Sequence, residues 1–200
     1  MKTILLILGG QIPAHNYAAT TQILTDVLQQ DGHAVRTASN AGAPDLDEAA
    51  AVVLFTDGDF FSDDAITRLK SFVESGGGLV TLHTAANTNI NNPDIGPLVG
   101  SRVQGGVIVK HTAHIVDTDH PITHGLSDFE LDDEIHDLKP LANYRTLIDA
   151  EMNGARQPLA YVKQTGQGRT VHLATGHAIA GVSNPQWQEI FRRAVNFVSG

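Results

Sequence analysis

No cysteine occurs among the 200 residues. Disulfides, thiolate metal sites and a cysteine nucleophile are therefore excluded at the outset. Basic residues are scarce too: 13 Lys and Arg stand against 22 Asp and Glu, a formal charge of −9. A chain this acidic presents no broad basic face, which argues against a nucleic-acid partner and against anionic membrane surfaces. Long hydrophobic runs are missing as well. The opening run from Ile4 to Leu8 stops at Gly9-Gly10, too short for the core of a secretory leader and far too short to span a bilayer. These absences give the expectation of a cytoplasmic protein. With 42% hydrophobic residues, the chain can bury a substantial core, and a single domain over residues 1–200 is expected.

What is present is a strand–helix rhythm. Residues 3–8 form an apolar run suited to a buried parallel strand. Tyr17 to Gln30 has helical spacing and closes at Asp31-Gly32. Strands are expected at 33–37 and 50–55. Ser62-Asp63-Asp64 opens a helix as a capping residue followed by first-turn acids. That helix runs to Gly76-Gly77-Gly78, after which Leu79 to Leu82 forms another strand. Beyond Asn87, Asn, Pro and Gly punctuation surrounds a weak helix at 95–99. Extended segments follow at 103–109, 114–116, 129–135 and 145–150. Strands at 159–163 and 170–174 flank the turn residues Thr165-Gly166-Gln167-Gly168. Residues 184–198 form an amphipathic closing helix. The alternation predicts an α/β fold with a doubly wound, mostly parallel sheet and helices on both faces. The excursion over 87–140 is expected to fold across the carboxyl edge of that sheet, where ligands bind in such folds.

Ten histidines are many for this length, and several adjoin turn residues. His15 follows the first strand. His83 ends the strand after the glycine run, at the kind of corner where many α/β enzymes present a Ser or Cys nucleophile. His177 follows Thr175-Gly176 past the last strand. All three would leave carboxyl ends and meet over one crevice. Imidazole beside carboxylate serves both acid–base catalysis and metal binding. His83, His177 and Glu134 are the candidate catalytic residues. His15, Asp57, Asn87 and His120 are candidates for substrate contact. His15, His83 and His177 are also the candidate ligands of a divalent metal ion. Other histidines read as structure: His33 and His172 as strand residues, His114 and His124 as surface or loop. His111-Thr112-Ala113-His114 looks like a chelating pair, yet residues three apart on a strand face opposite ways. Spacing argues against His111 and His136 in the site. Asp57-Gly58-Asp59 has an equally simple origin as a turn.

The glycines argue against a nucleotide cofactor. Gly9-Gly10-Gln11 fits neither phosphate-loop pattern and reads as a tight turn. Gly76-Gly77-Gly78 precedes a strand rather than a helix amino end.

Together, the Gly-Gly-Gly-Leu-Val strand ending in His83, the segment Asp119-His120-Pro121-Ile122-Thr123, the pair Asp133-Glu134 and Thr175-Gly176-His177 form a pattern. On these residues the chain resembles, nearly end to end, the ThuA-like (trehalose-utilisation) family within the class I glutamine-amidotransferase-like superfamily. The resemblance implies a flavodoxin-like fold, with His83 at the corner where amidotransferases carry their cysteine. Thiolate-dependent glutamine hydrolysis is thereby excluded. It also implies a small sugar, a disaccharide or keto-sugar, as partner. Dimers are common for such folds, so a homo-oligomer is expected. Two departures touch the substrate: His136 stands where the family usually has an aromatic residue, and the segment between His83 and His111 is short. Two functions stay open. One is a sugar enzyme, an isomerase or hydrolase using His–carboxylate or metal-assisted chemistry. The other is a non-catalytic binding or interaction module on the same fold. A third, with Thr84 as nucleophile, lacks any activating base except His83.

Overall fold

The computed structural model describes residues 1–39 and 45–200. Strand β1 (Thr3–Gly9), helix α1 (Tyr17–Gln30), strands β2 (Ala34–Ala38) and β3 (Ala49–Thr56), helix α2 (Asp63–Glu74) and strand β4 (Gly78–Leu82) follow the expected order. Their boundaries have local chemical causes. Asn16 accepts a hydrogen bond from the Ala19 amide at the start of α1, and Ser62 accepts one from the Ala65 amide at the start of α2. Each satisfies an amide with no partner inside the helix. The short helix α3 (Ile95–Val99) follows. Then come β5 (Ser101–Ile115), β6 (Phe129–Pro140), β7 (Arg145–Met152), β8 (Ala155–Thr165) and β9 (Gly168–Leu173), with no helix among them. Helices α4 (Ile179–Val182) and α5 (Pro185–Ser199) end the chain. Asn184 caps α5, accepting from the Gln186 and Trp187 amides.

The nine strands form one sheet in the order β2-β1-β3-β4-β9-β8-β7-β5-β6. Pairings from β2 through β4 to β9 are parallel. Those from β9 through β8, β7 and β5 to β6 are antiparallel. The expected mostly parallel, doubly wound flavodoxin-like sheet is therefore wrong for this molecule. The sheet is mixed, and its antiparallel half holds the longest strands. The reason lies in the connections. Parallel neighbours need a crossover of a dozen or more residues, usually a helix, whereas short turns join antiparallel ones. After β5 the strands succeed one another without helices, so they reverse direction at each turn.

Helices cover both faces of the parallel half. On one face Leu24, Leu28, Trp187, Phe191 and Val195 pack on Ile4, Leu6, Val53 and Val80. On the other, Ile66, Leu69 and Val73 pack with Leu98 on Leu5, Ile7, Val52 and Leu79. That explains why β1 and β3 are apolar without alternation. The β5–β6 hairpin behaves differently. Only His114 and Ile115 of β5 pair with β7, while residues 101–113 pair with β6. Released from β7, the hairpin curls back over the carboxyl ends of the parallel strands, where a β6 side chain stacks on His83. No helix among the described residues is long and apolar enough to cross a membrane.

Phe191 is fully buried in the α5 layer. Phe191→Ala is expected to cost about 3–5 kcal/mol, because the emptied volume cannot fully collapse. Urea unfolding should show a lower midpoint with an unchanged slope.

Candidate functional site

His83 occupies the corner where β4 gives way to a 3-10 turn, His83–Asn87. Its φ of 47° lies in the left-handed region, which costs a non-glycine residue free energy that its surroundings must supply. The corner aims the imidazole across the sheet toward β9, where Nδ1 donates to the Ala174 carbonyl at 3.1 Å. A carbonyl only accepts, so this bond fixes the tautomer: Nδ1 carries the proton and Nε2 keeps a free lone pair. The ring is entirely buried. Burial, followed by the neighbouring His136, holds its pKa well below the usual histidine value. His83 is thus a neutral imidazole at physiological pH.

His15 is fixed by a parallel device. Its Nδ1 lies 3.0 Å from the Tyr17 hydroxyl, and that hydroxyl donates to Asp57. With its proton given to the carboxylate, the Tyr17 oxygen accepts from His15 Nδ1, again leaving Nε2 free. Asp57 also accepts from the Gln11 and Ile12 amides at 2.6 and 3.2 Å, which holds the loop after β1. Gly10 lies against Asp57 and Tyr17 with no room for a side chain. Burial lowers the His15 pKa, and burial with Asp57 raises that of Tyr17.

His177 and Glu134 complete the arrangement. His177 Nδ1 lies 3.1 Å from His83 Nε2 and 3.1 Å from Glu134 Oε2. The same carboxylate oxygen is 3.5 Å from His83 Nε2 and 3.6 Å from His136 Nε2. The His136 imidazole holds the Glu134 carboxyl below its usual range, against the opposing effect of burial. The ring centres of His15 lie 5.2 Å from His83 and 5.1 Å from His177. His136 stacks on His83 at 4.3 Å. Two overlapping sets, His15–His83–His177 and His83–Glu134–His136, each place their potential donor atoms within 4.8 Å of one another.

Beneath these residues sits Asp133. It is completely buried and accepts from three backbone amides: Glu134 at 2.7 Å, Gly176 at 3.0 Å and His177 at 3.0 Å. It thereby ties β6 to the loop bearing His177. Burial raises its pKa, and the three amides oppose that shift.

The expected residues divide clearly. The structure brings His15, His83, His177 and Glu134 together. Asp57 stands behind His15, saturated by amide and hydroxyl donors, so it orients a ring and does not face the crevice. Asn87 ends the 3-10 turn half-buried, and among the described residues no hydrogen bond ties it to the cluster. His120 is elsewhere: its Nδ1 accepts from the Ile122 amide and its ring packs on Phe197. The Phe197 carbonyl is held by Arg169 at the start of β9, the opposite end of that strand from His177. His111 turns its Nδ1 to the Val109 carbonyl. His136, argued against on spacing, belongs to the cluster. Its signal was the two-residue period of a strand, which puts Glu134 and His136 on one face. Tyr17 and Asp133 were missed because their roles depend on partners 40 and 44 residues away.

The family model described as ThuA, trehalose utilisation, matches residues 4–198. The chain belongs to the ThuA family. A ThuA-like protein of Parabacteroides merdae shares 22% identity over 99% of this chain and 90% of its own, with a TM-score of 0.89. One from Bacteroides uniformis shares 16% over 98% and 91%, with a TM-score of 0.79. The β-galactosidase of Bacillus circulans contains the same fold in 30% of its chain, matching 99% of this one at 13% identity and a TM-score of 0.69. At these identities the structures share a fold with the ThuA chain and nothing more specific. No curated protein matches it in sequence.

Two predictions test this architecture. A Cβ at Gly181 would overlap the Asp133 carboxylate, so Gly181→Ala should displace Asp133 and loosen the His177 loop. Faster amide exchange at Gly176 and His177 would report it. His172, fully buried on β9 with Nδ1 2.9 Å from Thr81 Oγ1, has its pKa pushed down to about 3 by burial. Between that value and the unfolded value near 6.5, only the unfolded chain takes the proton. Stability is thus complete above about pH 6.5 and falls as the pH drops toward 3, by at most about 1.4 kcal/mol per pH unit for each such histidine. Urea midpoints measured from pH 7.5 to 4.5 should fall, and less steeply for His172→Asn.

Proposed function

We propose that this ThuA-family protein is a cytoplasmic enzyme of carbohydrate metabolism that isomerises or hydrolyses a small sugar or keto-sugar at the His83–His177–Glu134 cluster. The observation that carries the proposal is the pairing of free lone pairs with a carboxylate. His83 and His15 each have Nδ1 committed to a protein acceptor and Nε2 directed inward, and Glu134 Oε2 lies among three imidazoles.

The donor set fits a divalent metal ion. Neutral imidazoles anchored through their second nitrogen are the usual ligand form. Ligand atoms around a tetrahedral ion stand about 3.3 Å apart, close to the 3.1 Å between His83 Nε2 and His177 Nδ1. His15, His83 and His177 would hold it, with Glu134 at the open side. A bound ion would supply Lewis-acid polarisation of a sugar carbonyl. The rest falls to the chain. Glu134, kept ionised by its imidazole neighbours, accepts a proton from a substrate carbon or hydroxyl. Where no ion is bound, His177, on the partly exposed side, returns one. The corner at His83 is closed off from solvent, which strengthens every charge interaction there. Having no thiol, the site carries out no cysteine-type glutamine hydrolysis.

Elemental analysis of protein purified without chelator should find about one equivalent of zinc, manganese or a similar ion, lost in His83→Ala. The variant should keep its circular dichroism spectrum while turnover of keto-sugar substrates disappears. Metal-free protein with unchanged turnover in the variant would remove His83 from the chemistry. Metal-free protein inactive on every sugar tested would favour the binding-module alternative.

A further inference from the structure

The residue that the cluster leaves unexplained is Lys163. It lies on β8 and pairs in register with Thr170, which pairs with Leu79 at the start of β4. That places it at the end of the sheet opposite the histidines. Its side chain is only 9% exposed. Nζ donates to the Thr165 hydroxyl and, at 3.5 Å, to the Leu98 carbonyl. Among the described residues it makes no ion pair. Its neighbour Lys70 differs, being held by Asp94 at 2.7 Å. A buried ammonium with only neutral acceptors is costly, and burial lowers its pKa accordingly.

Lys163 lines a cleft of about 400 Å³, a size suited to a small metabolite. Leu98 and Pro97 give it an apolar side. Asn143, Gln164 and Thr165 supply amide and hydroxyl groups beside the lysine. The lining also holds the ion pair of Lys70 with Asp94 and the carboxylate of Glu74, neither of which pairs with Lys163, and none of these residues belongs to the histidine cluster. Capping the carbonyl end of α3 would account for one donated bond. It would not account for a cleft with amide and hydroxyl side chains beside a buried lysine that no carboxylate pairs.

We propose that this cleft binds a small hydroxylated organic anion, with its carboxylate or phosphate on Lys163 Nζ and its hydroxyls on Asn143, Gln164 and Thr165. The oxyanion supplies the direct ion-pair partner that Lys163 lacks, and charge-assisted bonds of this kind are the strong ones. This site is independent of the sugar chemistry at the opposite edge.

The test is an NMR titration of the full chain with sodium gluconate and, separately, inorganic phosphate, against sodium chloride at matched ionic strength. The expected result is saturable binding of at least one probe, with shifts confined to residues 94–98, 142–143 and 163–165 and the neighbouring end of α2. Tighter gluconate assigns the site to carboxylates; tighter phosphate assigns it to phosphate esters. Lys163→Gln should weaken binding at least about tenfold, while His83→Ala should bind as the unmodified chain does. No saturable binding of either probe, or unchanged affinity in Lys163→Gln, overturns the proposal. Should Lys163→Gln fail to fold, the shift map of the unmodified chain decides: perturbations away from these residues overturn it.

Discussion

The structure depends on one buried carboxylate. Asp133 belongs to the antiparallel half of the sheet, yet its two oxygens accept amides from the loop that leaves the last strand paired with the parallel half. The charge is expensive to bury, and the raised pKa of Asp133 says that its three amides do not fully offset that cost. A group that lowers stability and is nevertheless the joint between two substructures serves geometry. It fixes the height of Glu134 on β6 against His177 beyond β9. It works beside the burial of Phe129, Leu131 and Ile135 in the core and the Ser101–Tyr161 hydrogen bond, which seat a β5–β6 hairpin paired to β7 at only two residues.

A second constraint acts from the parallel half. The left-handed turn at His83 takes the ring out of the strand direction and into reach of Ala174. The Asp57–Tyr17 pair does the corresponding work for His15. Both devices place the proton on the outer nitrogen and turn the inner one toward the crevice, while burial, against the opposing pull of these acceptors, lowers the pKa of both rings. Close approach of His83 and His15, which would repel if both were charged, is thereby tolerated, and Glu134 brings a carboxylate into the centre. Strain, desolvation and tautomer control are concentrated within a few residues, as is common where a fold has been shaped around a site.

The two ends of the sheet contrast in charge logic. At the carboxyl ends, imidazoles surround a carboxylate. At the opposite end, the buried Lys163 ammonium donates only to a hydroxyl and a backbone carbonyl.

Local signals in the chain determined a good deal. Caps at Asn16, Ser62 and Asn184 and the unbroken apolar runs of β1, β3 and β4 set the elements of the first half. Placing His15, His83 and His177 after strands was enough to expect their convergence, because parallel strands deliver their carboxyl ends to one edge whatever the details of packing. Strand direction in the second half was decided by tertiary structure. Extended segments look alike whether their neighbours run parallel or antiparallel, and which strand lies beside which in the order β4-β9-β8-β7-β5-β6 was set only by contacts distant in sequence. The same holds for His136, Tyr17 and Asp133, and for His120 in the other direction. Their surroundings depend on how a hairpin curls over an edge or on which helix end covers a ring. Those outcomes depend on contacts between residues distant in sequence, and no local spacing records them.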